Sequence, residues 1–428
     1  MVAVTVYDYC VVGGGVAGLG VALPLARDFG KSVLVLDRSR PRFDGADRFR
    51  ASSASSFKNA GILELGVLRD IRAYFTSETV RLYRSMGIVV NERGAVQPTT
   101  SLHDRVALEL THVLRPTVVE GSLTPFFAFP RGSNAEPEEA MRVLARNARD
   151  HVVVRYGAHV NSMRRRAGRW HIDHSVATDV ALNVIVAAGP GSSSLLRALG
   201  VDVRVTHVYG IMGESSPLVP DARLYEGNII GAEAEIQWLV RDVACCRGAV
   251  DRTHCTAVWN GTDSAHSLRH VSRHMYAATQ TRGGARRLCL GGPRIELPHA
   301  LDVAHFDNLK PRMFDSEWDV CVRQLRRVIS LPAELCFARE RRWGGVMVFP
   351  DDEEGPLLGT LEGYDGTLHV HTGYESSGFR QAVGGGAFLA SLLCDGSEWA
   401  DALADREPLV RYWRKLLPHS PRCRQCID

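Results

Sequence analysis

The stretch YDYCVVGGGVAGLGVALPLARDFGKSVLVLD, from Tyr7 to Asp37, limits what this chain can fold into more than any other. Two apolar runs of strand length, YDYCVV and SVLVLD, flank a glycine-rich turn and an apolar segment of helical length, the pattern of a βαβ unit. Gly13, Gly15 and Gly18 stand at GxGxxG spacing. The first permits a tight turn, the second lets backbone approach a pyrophosphate, and the third lets helix and strand pack closely. Asp37 closes the second strand, followed by Arg38, and its carboxylate is placed to accept hydrogen bonds from a ribose. The helix N-terminus at Val16 and Ala17 attracts phosphate charge. The stretch therefore predicts a dinucleotide site. Pro24, inside the helix, removes a backbone hydrogen bond and predicts a bend.

The alternation of strands and helices resumes further on. NAEPEEAMRVLARNARDH reads as a helix capped by Asn134 with acids in its first turn, and VVVRYGAHV as a strand. After an arginine-rich hairpin, ALNVIVAAGPGSSSLLRALG reads as a buried strand that ends at Ala188 and Gly189, a turn and a short helix. Between about 205 and 335 the texture changes to alternating segments such as EIQWLV, TAVW and RLCLGG, separated by polar turns, as in an antiparallel sheet. Near the other end, GTLHVHTGYESSGFRQAVGGGAFLASLL reads as a strand, a Ser/Gly turn and a helix rich in small residues. The expected architecture is α/β: a Rossmann-type dinucleotide-binding domain from 1–80, 135–205 and 336–405. Into it an antiparallel-sheet α+β substrate domain (81–134 and 206–335) is inserted, and 406–428 form a tail.

Composition narrows the function classes. With 51 Lys and Arg against 48 Asp and Glu, the net charge of +3 gives no ground for a nucleic-acid partner. Only four of the 51 are lysines: Lys31, Lys58, Lys310 and Lys415. No apolar run approaches the roughly 20 residues of a membrane-spanning helix, and the glycine-interrupted N-terminus does not read as a signal peptide. The expectation is an intracellular, cytoplasmic protein whose ten cysteines are reduced thiols. Cys423 and Cys426 have CxxC spacing but no second ligand pair nearby, so no metal site is expected. His369 and His371, two apart on one strand, read as a packed or hydrogen-bonded pair.

Taken together, VVGGGVAGLG, VIVAAGPGSSSLL, GPLLG and TGYESSGF resemble the FAD-dependent D-amino-acid oxidase superfamily, in the branch with glycine oxidase, sarcosine oxidase and D-amino-acid dehydrogenases. The resemblance implies FAD, with Gly13, Gly15 and Gly18 at the pyrophosphate, Asp37 at the adenosine ribose and a backbone contact near Val160 on the adenine side. The small-residue segment RASSASSFKNAGI, Arg50 to Ile62, suits close packing against a cofactor, and within it the resemblance implies that Arg50 to Ser53, including Ser52 and Ser53, surround the isoalloxazine ring. Gly345, Val346 and Met347 would do so too, with the stretch Gly373 to Phe379 that contains Ser376, Ser377 and Gly378. It also implies hydride transfer to flavin N5 from a C–H bond beside an amine nitrogen of a small-molecule substrate. No cysteine falls at 345–347, so noncovalent FAD is expected.

The chain departs from the family where specificity is decided. Relatives that act on amino acids commonly carry an Arg that forks onto the substrate carboxylate where this chain has Met347. In the sarcosine oxidase branch a Lys assists reaction with oxygen where this chain has Cys289. Two readings follow from Met347: the substrate lacks that carboxylate, which is the preferred one, or another cation replaces the missing Arg, with Arg241 and Arg294 as candidates. A flavin-fold scaffold without catalysis is the alternative from a different class.

Overall fold

The computed structural model describes residues 5–39, 55–56, 58–63, 71–98, 116–117, 123, 126–129, 132–219, 228–230, 257–259, 266–272, 275–282, 284–297, 306, 309–350 and 356–394. The βαβ unit forms as the sequence predicts. Strands Val6–Val12 and Val33–Asp37 are parallel, with Tyr9 opposite Val33 and Val12 opposite Leu36, and helix Val16–Arg27 connects them. They lie inside an eight-stranded sheet whose main path runs Leu357–Thr360, Leu368–Thr372, Thr178–Val186, Val6–Val12, Val33–Asp37, Val153–Tyr156. From Leu368–Thr372 onward every neighbour on this path is parallel. The arginine-rich hairpin, Val160–Arg166 and Arg169–His174, attaches to the edge of Thr178–Val186.

A parallel sheet needs cover on both faces, which is why its strands read as continuous apolar runs. On one face Tyr9, Val11, Val33 and Val35 pack with Leu19, Val21 and Leu25 of the first helix, with Leu144 of helix Pro137–Arg149 and with Phe388 of helix Gly378–Cys394. On the other, Cys10, Val12, Leu34 and Leu36 pack with Trp170, Ile172 and Leu196. The first helix continues through Pro24 to Arg27. Proline leaves the Gly20 carbonyl without its intrahelical donor, and the last helix packs against this point: a Cβ on Gly386 would lie 2.6 Å from the Gly20 oxygen. Two helix–helix glycines thus meet where the first helix lacks a bond.

The second sheet has ten strands on two overlapping paths. The long strand Ala285–Glu296 pairs along one edge with Tyr276–Arg282 and His266–Ser272, and along the other with Val205–Glu214. Val205–Glu214 in turn carries Arg342–Pro350. Pairing is antiparallel except between Asn228–Ile230 and Ala95–Pro98. The strand Arg342–Pro350, which sequence assigns to the first unit, is thus hydrogen-bonded into the second sheet. Its apolar alternation continues the face that buries Tyr209, Ile211, Leu290 and Val346 against Trp318 and Leu325 of helix Asp315–Val328.

The cap of helix Pro137–Arg149 also differs from expectation. Glu136 rather than Asn134 caps it, its carboxylate accepting from Glu139 N at 2.5 Å, while the Asn134 backbone exchanges bonds with Asn91 at 2.8 and 2.9 Å. Proline at the first helical position fixes the start two residues later than an Asn134 cap would. Among the described residues no helix is long and apolar enough to cross a membrane.

Candidate functional site

The C-terminal ends of the parallel strands open onto a cavity of about 480 Å³, where open α/β sheets bind ligands. The three motif glycines build its near wall in different ways. Gly13 has φ +114°, and a Cβ there would lie 2.3 Å from the Ala187 oxygen. A Cβ on Gly18 would come closer still, 1.7 Å from the Gly13 oxygen, so this glycine serves helix–strand contact rather than the cavity. Gly15 lines the cavity itself, and a Cβ on it meets only the Ser56 hydroxyl, at 2.9 Å. Val16 N donates to that same hydroxyl at 3.1 Å.

At one end of the cavity, Asp37 is oriented by its own strand end. Gly14 N donates to Oδ2 at 2.6 Å, and Ser39 donates to Oδ1 through its backbone N at 2.7 Å and through its hydroxyl. A carboxylate oxygen has two acceptor sites, so Oδ2 keeps capacity toward the cavity. Arg38, Ser39, His159, Val160 and Asn161 complete this end.

The other end lies between the two sheets. Ser55 and Ser56 face Val346, Met347 and Val348 from the second sheet and Thr372 to Glu375 and Gly378 from the turn before the last helix. That turn is held in an unusual backbone: Gly373 has φ +74° and the non-glycine Glu375 has φ +53°. Its anchor is Tyr374, whose buried hydroxyl meets His371 Nε2 at 2.5 Å. A Cβ on Gly385 would lie 2.1 Å from that hydroxyl, so the anchor requires glycine there. Burial pushes the His371 imidazole down to about 3, against an upward pull from the Ala17 backbone, and pushes His369 down to about 4. His369 Nδ1 meets the Thr360 hydroxyl at 3.0 Å. Both histidines are therefore neutral packed residues, as their spacing suggests.

Across the second sheet, register places three residues in one row: Gly345 pairs with Gly210, and Gly210 with Arg294. Paired residues share a face, so Arg294 lies on the side of the sheet that carries Met347. Arg294 is buried and close enough to the Tyr276 phenol to lower its pKa in part, against the larger upward effect of burial. The Met347 methyl group extends over Gly210, where a Cβ would come within 2.9 Å of it. Cys289 is buried on the same face, its thiol 3.4 Å from Gln280 Oε1.

Of the residues singled out in sequence, Gly13, Gly15, Val16, Ala17, Asp37, Arg38, Val160, Ala188, Gly189, Val346, Met347, Gly373 and Gly378 line the cavity. Gly18, Gly345, Ser376, Ser377 and Phe379 do not. Gly345 stands behind the wall against Ser55 and Lys58, Ser377 accepts from Arg380 at 2.8 Å, and Phe379 packs on Tyr83. Ser52, Ser53, Arg241 and the Cys423/Cys426 pair lie outside the described residues. Sequence reading reached Ser55 and Ser56 only within the segment Arg50 to Ile62 and Tyr374 only within the stretch Gly373 to Phe379, and it did not reach Ser39, His159 or Asn161. The first two sit in the same serine-rich run as Ser52 and Ser53, and repeated serines carry no signal for which of them turns inward.

Three comparisons bear on identity. No curated protein matches the chain. Among solved structures, glycine oxidase from Geobacillus kaustophilus superposes with a TM-score of 0.66 at 15% identity, covering 92% of this chain and 95% of that one. NikD, described as an unusual amino acid oxidase essential for nikkomycin biosynthesis, gives 0.66 at 18% identity over 91% and 94%. L-proline dehydrogenase from P. horikoshii gives 0.60 at 13% identity over 95% and 100%. These likenesses show a shared fold. A family model described as DAO, FAD dependent oxidoreductase, matches residues 8–392, so the chain belongs to the FAD-dependent oxidoreductase family.

Proposed function

We propose that the cavity holds FAD noncovalently and that the chain oxidises a small amine, or a related C–H donor, that lacks a carboxylate beside the reacting carbon. The adenosine belongs at Asp37, Arg38 and Val160, and the pyrophosphate at Gly13, Gly15 and the first turn of helix Val16–Arg27. The ring belongs between Ser55–Ser56, Val346–Met347 and the turn Gly373–Gly378. What supports the fit is the cradle: Gly15 leaves open the space a side chain would take, and helix N–H groups face it with no acidic residue in the first turn. Acid denaturation should release free FAD into the supernatant; flavin that stays with the precipitated chain overturns the noncovalent assignment.

When bound, FAD would supply a two-electron acceptor for a C–H bond beside an amine nitrogen, the substrate leaving as an iminium that loses a proton to solvent to become the imine. The chain's part is to orient the substrate and exclude water. The strand segment Val346 to Val348 lines the ring end, and the Met347 side chain lies over Gly210 of the neighbouring strand.

Met347 is the observation that carries the substrate reading. A free carboxylate placed against its thioether would lose hydration without gaining a charge partner, a penalty of several kcal/mol. One observation favours a second reading: Arg294 stands in register with Gly210 and Gly345 on the same face, where its guanidinium would serve a carboxylate that reached past Met347. Anaerobic flavin reduction by matched pairs, an amino acid and its decarboxylated amine, separates the two. The amine should reduce the flavin faster. If the amino acid is much faster, and Arg294→Ala abolishes that advantage, the second reading holds and the first does not.

A further inference from the structure

One side-chain amide ties the second sheet to the wall of the cavity. Gln280, on the strand Tyr276–Arg282, is 4% exposed, and its Nε2 donates to the Ala60 carbonyl across 220 residues of sequence. On the other side its Oε1 accepts from Arg282 Nε at 3.0 Å and from the Cys289 thiol at 3.4 Å. A guanidinium can only donate, so the amide cannot turn over and its nitrogen must face Ala60. Arg282 is held in its turn: its Nε lies 3.4 Å from Glu136 Oε1, and its guanidinium lies 5.0 Å from the centre of the Trp343 ring. Ala135, the neighbour of Glu136, donates from its N to Gly61 O at 2.9 Å. Ala60–Gly61, Ala135–Glu136, Arg282 and Gln280 thus form a closed loop of contacts drawn from three separate parts of the chain.

The turn held in this loop has no slack. Gly61 has φ +70°, and a Cβ on it would lie 1.9 Å from the Ala135 oxygen and 2.7 Å from Gln280 Nε2. Hydrogen bonds carry the position of this turn back to the cavity: Gly61 N donates to Asn59 Oδ1 at 2.7 Å, Asn59 Nδ2 to Ser56 O at 2.9 Å, and Val16 N to the Ser56 hydroxyl at 3.1 Å. Ser55 and Ser56 line the cavity, whereas Gln280 does not. A buried amide donor is costly to leave unpaired, and a hydrogen bond holds its two ends at one separation. We propose that Gln280 is a positioning residue for the ring end: through Ala60 and Asn59 it fixes Ser55 and Ser56 relative to the strand Arg342–Pro350, and so sets the width of the space in which cofactor ring and substrate meet. An apolar side chain of the same size would fill the volume and leave that spacing free.

This inference rests on the FAD reading above. The test uses full-length protein and two readouts other than turnover: the dissociation constant for FAD, and the visible circular dichroism of the bound flavin, which reports the groups packed around the ring. Gln280→Glu has the shape of the wild-type side chain and still accepts from Arg282, but it turns a second acceptor instead of a donor toward Ala60 O. Asn59→Ala leaves Gln280 and the second sheet as they are and cuts the link to Ser56. Both variants should bind FAD about tenfold more weakly than wild type, and both should change the dichroism of the flavin they retain in the same sense. Wild-type dichroism in Gln280→Glu overturns the proposal even if its urea stability falls, because the amide would then only hold the fold together. A change in Gln280→Glu that Asn59→Ala does not share removes the route through Ala60 and Asn59, and the proposal with it. If Gln280→Glu does not fold, Asn59→Ala decides alone, on the same two readouts. Wild-type protein that binds no flavin takes down the FAD reading and this one together, whereas flavin bound by both variants with wild-type dichroism removes only this one.

Discussion

The two ends of the cavity are built by different means. At the Asp37 end the working groups are backbone: a left-handed Gly13, N–H groups at the start of a helix, and a carboxylate fixed by the N–H groups of Gly14 and Ser39. At the Met347 end they are side chains brought together by sheet register, with Met347, Gly210 and Arg294 on three strands that are far apart in sequence. Backbone sites demand glycine at fixed spacing and tolerate little else. Register sites demand only that something of the right size stand in the right row, which leaves them free to change substrate.

The largest effects should come from the backbone end, and they should divide by glycine. Gly18→Ala places a Cβ 1.7 Å from the Gly13 oxygen, and a backbone clash of that kind should cost more than about 4 kcal/mol in urea unfolding. Gly15→Val should fold, with stability within about 1 kcal/mol of wild type, yet fail to take up FAD, because its Cβ meets only the Ser56 hydroxyl, at 2.9 Å, and no packed backbone. Loading of FAD by Gly15→Val would break the assignment of this end to the pyrophosphate.

The next effect tests the sheet beneath both ends. His369 and His371 are buried neutral, at about 4 and about 3, below the value near 6.5 expected for an unfolded chain. Above pH ~6.5 neither state binds these protons and stability is unaffected. As pH falls below that, the unfolded chain takes them up first. Unfolding free energy should then drop by up to about 1.4 kcal/mol per pH unit for each histidine, levelling only near the folded values. Urea midpoints between pH 7 and 4 measure this, and His371→Gln should remove about half of the slope. A slope that survives the substitution unchanged would show that other groups produce it.

Asp37→Ala comes third. It removes an acceptor and creates no clash, so FAD loading should weaken by the ~1.5–3 kcal/mol of a hydrogen bond to a charged group, read as flavin retained after dilution. Loss as complete as in Gly15→Val would mean that the carboxylate organises Gly14 and Ser39 more than it holds a ribose.

The contrast also explains what sequence could reveal. Val6–Val12, Val16–Arg27 and Val33–Asp37 were legible because a parallel strand buried on both faces is continuously apolar and a tight turn against a helix leaves glycines in a set pattern. Placing the strand Arg342–Pro350 was not legible, since an apolar run does not say which sheet receives it; its partner is decided by Val205–Glu214, more than a hundred residues earlier. The cap at Glu136 was missed because Asn134 is the better N-cap in isolation, and the bridge from Asn134 to Asn91 cannot be foreseen from either residue. Ser55 and Ser56 were one step from being read, in a run whose composition was right and whose phase was open.

The smallest effect probes the register end by itself. Gly210→Ala adds one methyl group to the row between Gly345 and Arg294, 2.9 Å from the terminal methyl of Met347. A flexible thioether yields more readily than backbone, so the cost should stay below about 1.5 kcal/mol in unfolding and FAD loading should be unchanged. Met347 must then turn away from Gly210, and the cavity wall it forms beside Val346 and Val348 is where it has room to be felt. If Met347 sets substrate choice, the ratio of flavin reduction rates between an amine and its parent amino acid should shift in this variant while the ring's own absorbance spectrum stays the same. An unchanged ratio, with Met347 displaced, would mean that the contact to substrate lies elsewhere on the second sheet, and Arg294 would become the residue to substitute next.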